Sequence, residues 1–281
     1  MQDPCLSFNI DNKRTGFFAK LTLGQTHTTM KNTLSAAVIL IGNELLSGSI
    51  QDKNLAHIAK ELEVRGIRIR ETRIIPDIES EIVEAVNHLR AKFDYVFTTG
   101  GIGPTHDDIT SDSVAAAFSV NNIIQQSVFD QVEARFKEKG IPFTKAAQRM
   151  AHAPEGAQII ASKHSIIPGY RIENVFVMAG VPSIMRLMLE GVIQHLDTGL
   201  QIHNMAIHAN AGEGEIAAEL ENIQNNHPDV DIGSYPQDKN SEFSDYKVIF
   251  VAKGTDLDEL KQTCNEILAA CARLGRDAIK V

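Results

Sequence analysis

Residues 95–110 read Tyr95-Val-Phe-Thr-Thr-Gly-Gly-Ile-Gly-Pro-Thr-His-Asp-Asp-Ile-Thr110, an apolar strand that runs directly into a glycine-rich turn. Glycines after a buried strand let the backbone approach a ligand closely and direct successive N–H groups at an anion. A helix that begins near Thr110 would add the positive end of its dipole. The segment therefore predicts a phosphate site at the end of a strand.

The two acidic residues of this turn qualify that prediction. Asp107 and Asp108 would repel a bare phosphate unless a divalent cation bridges them, which indicates a metal-assisted phosphate site. The structural alternative is a strand-to-helix turn in which one aspartate caps the helix. A dinucleotide fingerprint is disfavoured because His106 stands where its third glycine is needed, and no Gly-Lys-Ser/Thr follows for a phosphate loop of the NTPase type.

Apolar runs on both sides of this turn organise the chain. Ala36–Ile41 and Val175–Met178 are continuous apolar runs, as expected of strands that are buried on both faces. Helical periodicity separates these strands from each other and from Tyr95–Thr99, an alternation that predicts an α/β fold with a doubly wound parallel sheet. We expect this domain to span residues 34–197, a small α+β domain to span 198–281, and residues 1–33 to be a disordered extension.

Composition limits the class of protein. The 281 residues carry a net charge of −9, with 43% hydrophobic and 22% charged residues, which is ordinary for a globular protein of two domains. No apolar run approaches the roughly 18 residues of a membrane span, and the acidic balance argues against binding nucleic acid or an anionic membrane. The cysteines, Cys5, Cys264 and Cys271, form no disulfide or zinc pattern, so we expect a cytoplasmic protein.

The glycine-rich segment Thr99–Thr110 resembles the signature of the competence/damage-inducible protein A (CinA) family and is similar to that of the MoaB/Mog molybdopterin-binding fold. The resemblance continues through Gly42–Gly48 with Asp52 and Asn54, and through Gly180-Val-Pro182. It covers nearly the whole chain from Ala36 onward, but it does not include the C-terminal amidohydrolase domain of full-length bacterial CinA proteins. We therefore do not carry that activity over.

The resemblance implies two classes of function. Mog-type domains bind molybdopterin, and some of them adenylylate it. The N-terminal domains of CinA proteins, and the similar domain of eukaryotic FAD synthase, resemble hydrolases of nucleotide pyrophosphates such as ADP-ribose or FAD. A divalent metal such as Mg²⁺ is implied in the second class, and molybdopterin is a candidate ligand in the first. Relatives of this fold form homo-oligomers, so we expect a homo-oligomer that binds a small nucleotide or pterin.

Candidate site residues follow from the motif and the resemblance together. The candidate catalytic residues are Asp108, Asp107 and His106, and the candidate metal ligands are Asp107, Asp108 and Glu44. The candidate ligand-binding residues are Gly42, Glu44, Asn54, Asp77, Thr99, Gly100, Gly101, Gly103, Lys145 and Gly180.

Several of these residues also have a structural interpretation, and the sequence leaves both open. Asp107 and Asp77 are typical of helix caps or turns, and Glu44 of an exposed loop. A single loop histidine such as His106 can be a general acid or base near pH 7 or a bystander. Lys145 can neutralise a phosphate or lie on the surface.

The first thirty residues generate one test. Residues 1–29 have no periodic apolar face, so they offer little burial against the backbone entropy of about 1–2 kcal/mol per ordered residue. We expect a chain that begins at Met30 to fold, assemble and bind ligand like the full chain, as measured by its melting temperature and ligand affinity. A loss of several degrees in melting temperature would show that the extension is structural.

Overall fold

The computed structural model describes residues 34–161, 167–237 and 246–281. The expected extension, residues 1–33, lies outside the described residues. None of the helices within these ranges is long and apolar enough to cross a membrane.

The first part of the described chain alternates strands and helices. Its elements are, in chain order, β1 (Leu34–Ile41), α1 (Asn43–Leu46), α2 (Asn54–Glu63), β2 (Ile67–Ile75), α3 (Glu79–Lys92), β3 (Tyr95–Thr99), α4 (Thr110–Ala117), β4 (Asn122–Ile124), α5 (Gln126–Glu138), α6 (Lys145–Gln148), β5 (His152–Pro154), β6 (Gln158–Ile160), β7 (Gly169–Ile172), β8 (Val175–Met178) and α7 (Pro182–Val192). Short 3₁₀ turns follow α6 at Arg149–Ala151 and α7 at Ile193–His195.

Six of these strands form one sheet in the order β2-β1-β3-β8-β7-β6. The first four strands of that order are parallel to one another. This arrangement confirms the predicted parallel α/β sheet. The chain passes from β1 to the neighbouring strand β2 and then crosses back past β1 to β3. The order of strands therefore reverses between β1 and β3.

Helices cover both faces of this sheet, because side chains of a buried strand alternate between two cores. Ala37, Ile39 and Ile41 of β1 pack with α3 and α4 on one face. Ala36, Val38 and Leu40 pack with α2 and α7 on the other. The sheet is therefore doubly wound, as predicted.

Two antiparallel strands extend the sheet beyond β8, an arrangement that the sequence pattern does not indicate. A two-residue turn, Glu173-Asn174, joins β7 to β8, and Glu173 adopts a left-handed φ of 50° in it. Antiparallel strands can be joined by such short turns, whereas parallel strands need a long crossover. A four-residue strand beside a two-residue turn is too short to show a clear period of two.

The last part of the chain forms a second, four-stranded antiparallel sheet in the order β10-β11-β9-β12. Its elements are β9 (His203–Ala209), α8 (Glu213–Asn226), β10 (Asp231–Pro236), β11 (Val248–Gly254), α9 (Leu257–Arg273) and β12 (Ala278–Lys280). Both helices contribute to one core with the sheet, and that core includes Cys264 and Cys271, both fully buried. The small α+β region predicted from the sequence is present.

Backbone contact joins the segment between the two sheets to the first sheet at Gly66. Gly66 has a left-handed φ of 70°, and a Cβ atom there would lie 2.2 Å from the carbonyl oxygen of Leu200. The amide of Gly199 donates to the carbonyl of Arg65 at 2.8 Å. Lys253 of β11 reaches Glu63 of α2 at 2.5 Å. Only glycine fits position 66, because both its φ and its neighbour exclude a side chain.

We therefore expect Gly66→Ala to destabilise the protein more than its backbone conformation alone requires. A left-handed φ costs a non-glycine residue about 1–2 kcal/mol, and overpacking against fixed backbone adds about 1–3 kcal/mol. Urea denaturation measures both effects.

Gly140→Ala is the matched control, because Gly140 has a φ of 66° and no atom lies within 4 Å of its Cβ position. Equal losses of unfolding free energy in the two variants would contradict the close packing at Gly66.

Candidate functional site

The main cleft of the described chain opens at the carboxyl ends of the parallel strands, where the strand order reverses between β1 and β3. Its volume is about 520 Å³. The segments that follow β1, β2, β3 and β8 all contribute to its walls. Ligands of open α/β sheets collect in such a crevice. The position of the cleft thus agrees with the position of the motif.

The turn after β3 forms the floor of this cleft because its glycines occupy space that no side chain could share. Gly100 and Gly101 have φ values of 108° and 68°. A Cβ atom at Gly100 would lie 2.1 Å from the carbonyl oxygen of Ile41, and one at Gly101 would lie 2.1 Å from Oγ1 of Thr110. The motif therefore requires glycine at both positions.

Thr110, the first residue of α4, holds that turn in place through two hydrogen bonds. It is fully buried, its hydroxyl donates to the carbonyl of Gly100 at 2.9 Å, and its amide donates to the carbonyl of Gly101 at 2.9 Å. Within the described residues, the amides of Gly101, Ile102 and Gly103 make no hydrogen bond. The turn thus has satisfied carbonyls on its inner side and three free N–H donors.

Asn54 at the start of α2 connects two walls of the cleft. Its Nδ2 donates to the carbonyl of Gly180 at 2.7 Å, and this contact fixes which side-chain atom is the oxygen. Its Oδ1 is buried and has no hydrogen-bond partner among the described residues. The carboxylate of Asp52 accepts hydrogen bonds from the amides of Asn54 and Leu55, at 3.1 and 3.0 Å, and so caps α2.

The cleft is lined by five carboxylates and one lysine, and three of these carboxylates accept hydrogen bonds from backbone amides. Besides Asp52, Asp77 accepts a hydrogen bond from the amide of Asn43 at 2.9 Å. Oδ2 of Asp108 accepts from the amide of Thr105 at 2.7 Å and also contacts its hydroxyl. The expectation that Asp107 or Asp108 caps α4 is wrong, because α4 has no side-chain cap and Asp108 instead closes the turn before it. Asp77 accepts from the first amide of α1.

Asp107 lies next to this turn, and its pKa is lowered. The main cause is a hydrogen bond from the hydroxyl of Thr105, and nearby His106 adds a small contribution when it is charged. The Thr105 hydroxyl lies within reach of both carboxylates and, with one proton, donates to one of them at a time. The lowered pKa keeps Asp107 ionised at neutral pH, which suits a role as a metal ligand better than one as a general acid.

The cleft brings together most of the predicted site residues. Those that line it are Gly42, Glu44, Asn54, Asp77, Thr99, Gly100, Gly101, Gly103, Asp107, Asp108 and Gly180. Two predicted residues do not line it. The side chain of His106 is 97% exposed. Lys145 is exposed at the start of α6, because the segment that carries it folds outside the cleft.

The three predicted metal ligands do not form a preassembled metal centre. Among the described residues, no group of three or more histidine, cysteine, aspartate or glutamate side chains is placed to hold an ion. The side chain of Glu44 instead folds back over Gly42. A Cβ atom on residue 42 would lie 2.4 Å from Oε1 of Glu44. Asp108 is turned toward Thr105. The part of the chain that the structure describes therefore holds no site made of protein carboxylates alone.

Sequence reasoning missed two residues that hold the turn in place. Thr110 carries a weak signal, since threonine is frequent at the start of helices. Arg149 carries none, although its guanidinium donates to the carbonyls of Thr105 and Asp108 at 3.2 and 3.0 Å. Apolar side chains also line the cleft, among them Leu45, Ile50, Ile167, Val181 and Ile184.

Comparison with known proteins gives a match to the family described as a probable molybdopterin binding domain over residues 37–198. Residues 201–274 match the middle domain of FAD synthase. A protein of Archaeoglobus fulgidus is 34% identical over 200 residues, which cover 71% of this chain and 85% of that protein.

CinA proteins are similar in both sequence and structure. A CinA-like protein of Syntrophus aciditrophicus is 29% identical over 251 residues; these cover 85% of this chain but 59% of that protein. The crystal structure of CinA, of unknown function, from Thermoplasma acidophilum superposes with a TM-score of 0.53 and 27% identity, over 58% of this chain and 98% of that one. With more than half of its length matched, the chain belongs to the family of probable molybdopterin binding domains and is similar to CinA-like proteins.

Proposed function

We propose that this protein binds a phosphate-bearing nucleotide or pterin, with the phosphates placed on the amides of Gly101, Ile102 and Gly103. The observation that carries the proposal is that these three N–H groups, at the floor of the cleft, have no acceptor among the described residues. Buried or half-buried backbone donors are nearly always paired, so an unpaired series at a strand end marks an anion site. The apolar side chains that line the cleft suit the ring of such a ligand.

The charge of the cleft supports a divalent cation as part of the bound complex. Five carboxylates against one lysine would repel a diphosphate in the absence of a counter-ion. Mg²⁺ is usually held by one or two carboxylates together with substrate phosphates, rather than by a cage of protein ligands. The absence of a preassembled centre among the described residues fits a cation of this kind. Asp107, Asp108 and Glu44 are the residues that would hold it.

We further propose hydrolysis of a nucleotide pyrophosphate of the ADP-ribose or FAD class. Water attacks one phosphorus atom and the bridging P–O bond breaks, so ADP-ribose and water yield AMP and ribose 5-phosphate. The amides of Gly101–Gly103 donate to the phosphate oxygens as negative charge accumulates on them. A bound divalent cation would supply Lewis-acid activation of the phosphate. His106, which is exposed, has no role in this scheme.

The test is release of AMP from ADP-ribose and from FAD by pure protein, in the presence of Mg²⁺, Mn²⁺ or Co²⁺. We expect metal-dependent turnover that Asp108→Ala abolishes, because this change removes both a metal ligand and the carboxylate that closes the Thr105–Asp108 turn. Product formation is measured by chromatography.

Asp258→Asn is the matched control, because it removes one negative charge from a fully exposed position in α9, far along the chain from the cleft. A well-folded protein that turns over neither dinucleotide with any of the three metals would overturn the hydrolase proposal. Turnover that survives Asp108→Ala would overturn the role of Asp108.

A second candidate is a pterin or nucleotide carrier that uses the same pocket without catalysis. It is favoured by the hydrogen bonds of Asp77 and Asp108, since both carboxylates stabilise loops rather than point unengaged into the cleft.

Native mass spectrometry of protein purified from its own host separates the two candidates. A retained pterin supports the carrier, whereas a retained adenine nucleotide, or an empty pocket with turnover in solution, supports the hydrolase. The same spectra give the number of chains per assembly and so test the expected homo-oligomer.

A further inference from the structure

The segment between β4 and β5 has no part in the large sheet, yet it places one side chain against the glycine-rich turn. Helices α5 and α6 pack around a small core of Val128, Val132, Ala147, Met150 and Ala151. Thr144 caps α6, where its hydroxyl accepts from the amide of Ala147 at 3.2 Å. Arg149 follows in the 3₁₀ turn between two residues of that core, so its backbone is fixed.

The guanidinium of Arg149 spans both ends of the turn that carries the acidic pair. Nη1 donates to the carbonyl of Thr105 and Nη2 to the carbonyl of Asp108. The amide of Asp108 also donates to the carbonyl of Thr105 at 3.3 Å, so these carbonyls belong to the first and last residues of one tight turn. One planar group therefore fixes two peptide planes whose positions determine where Asp107 and Asp108 lie.

The guanidinium is itself held in orientation from the opposite side. Nη2 lies 3.9 Å from Oδ2 of Asp112, and Oδ1 of Asp112 accepts a hydrogen bond from Asn122 at 2.8 Å. Asp112 is on α4 and Asn122 is on β4, so two further elements contribute. Arg149 is 37% exposed and is not among the residues that line the main cleft; it lines a small cavity of about 100 Å³ together with Gly101–Gly103 and Asp108. Its guanidinium donates to two carbonyls of the turn, so it is placed to hold that turn.

We propose that Arg149 is the positioning residue of the phosphate site, and that the α5–α6 segment serves the site by delivering this side chain. Its fork of two nitrogens sets the position of Asp107 and Asp108 relative to the amides of Gly101–Gly103. A lysine has a single nitrogen and cannot bridge two carbonyls with the same geometry. This inference rests on the proposed phosphate site.

The central test compares Arg149→Lys, which keeps the charge but loses the fork, with Arg149→Gln and with the wild-type protein. A misplacement of about 1 Å in reacting groups can cost about 100-fold in rate, so we expect kcat for ADP-ribose to fall about 10- to 100-fold in both variants. The KM for ADP-ribose, measured in the same assays, should change less than about threefold, because the glycine amides remain.

A measurement without ligand keeps this inference separate from the proposed function. Hydrogen exchange of the amides in residues 105–109 should be faster in both Arg149 variants than in the wild type, since the turn loses its clamp. The control is Arg135→Gln, which removes an exposed arginine of α5 whose ion pair is with Glu138 alone. It should change neither exchange in the turn nor kcat.

The outcomes distinguish the two proposals. If the wild type binds no ADP-ribose, the phosphate site fails, while faster exchange in the turn would still support the clamp. Wild-type kcat and wild-type exchange in Arg149→Lys would overturn the positioning role. So would a loss in Arg149→Lys that appears only as general unfolding, with exchange raised throughout α5 and α6 to the same extent as in the turn.

Discussion

The close approach of Gly100 to the carbonyl oxygen of Ile41 is the contact on which the site depends. A Cβ atom at position 100 would lie 2.1 Å from that oxygen, far inside van der Waals contact. Since residue 100 is a glycine, no side chain separates the end of β3 from the end of β1, and the two strand ends can lie side by side. The next peptides then turn their N–H groups outward, and the carbonyls of Gly100 and Gly101 are satisfied by Thr110.

This constraint links the core of the sheet to the chemistry of the cleft. The strands on either side of the switch point are buried on both faces, so the end of β3 cannot shift to make room for a larger residue. A rigid strand that ends in a glycine turn is well suited to presenting unpaired donors. In the proposed site, a bound anion would accept their hydrogen bonds without a rearrangement of the turn.

The charged residues that line the cleft are the second feature of the site. The charged side chains that line the cleft are five carboxylates and one lysine, and three of the carboxylates accept hydrogen bonds from backbone amides. Hydrogen bonds of this kind favour the charged form of a carboxylate and also hold loops together. The same acids can therefore stabilise the walls of the cleft and contribute to a cation that arrives with its phosphate ligand. Structural and functional interpretations of a residue such as Asp108 are compatible.

Local order along the chain was sufficient to predict most of the large sheet and the position of the cleft. Continuous apolar runs at Ala36–Ile41 and Val175–Met178 indicate strands buried on both faces, and glycine after a strand indicates close backbone approach. The strands β4, β5, β7 and β12 were missed because three or four residues cannot display a period. Boundaries of the two regions and the roles of individual site residues remain predictions, although the cleft gathers all but His106 and Lys145.

What the sequence determined by itself is therefore the longer elements and the edge of the sheet where their loops meet, since both follow from periodicity and from the backbone freedom of glycine. Only the tertiary structure decided which side chains act on that edge. Arg149 reaches the turn across 41 and 44 residues of sequence, and Asn54 reaches Gly180 across 126. Contacts of this range leave no local pattern, because they arise from how separate elements pack and not from the order of residues within any one of them.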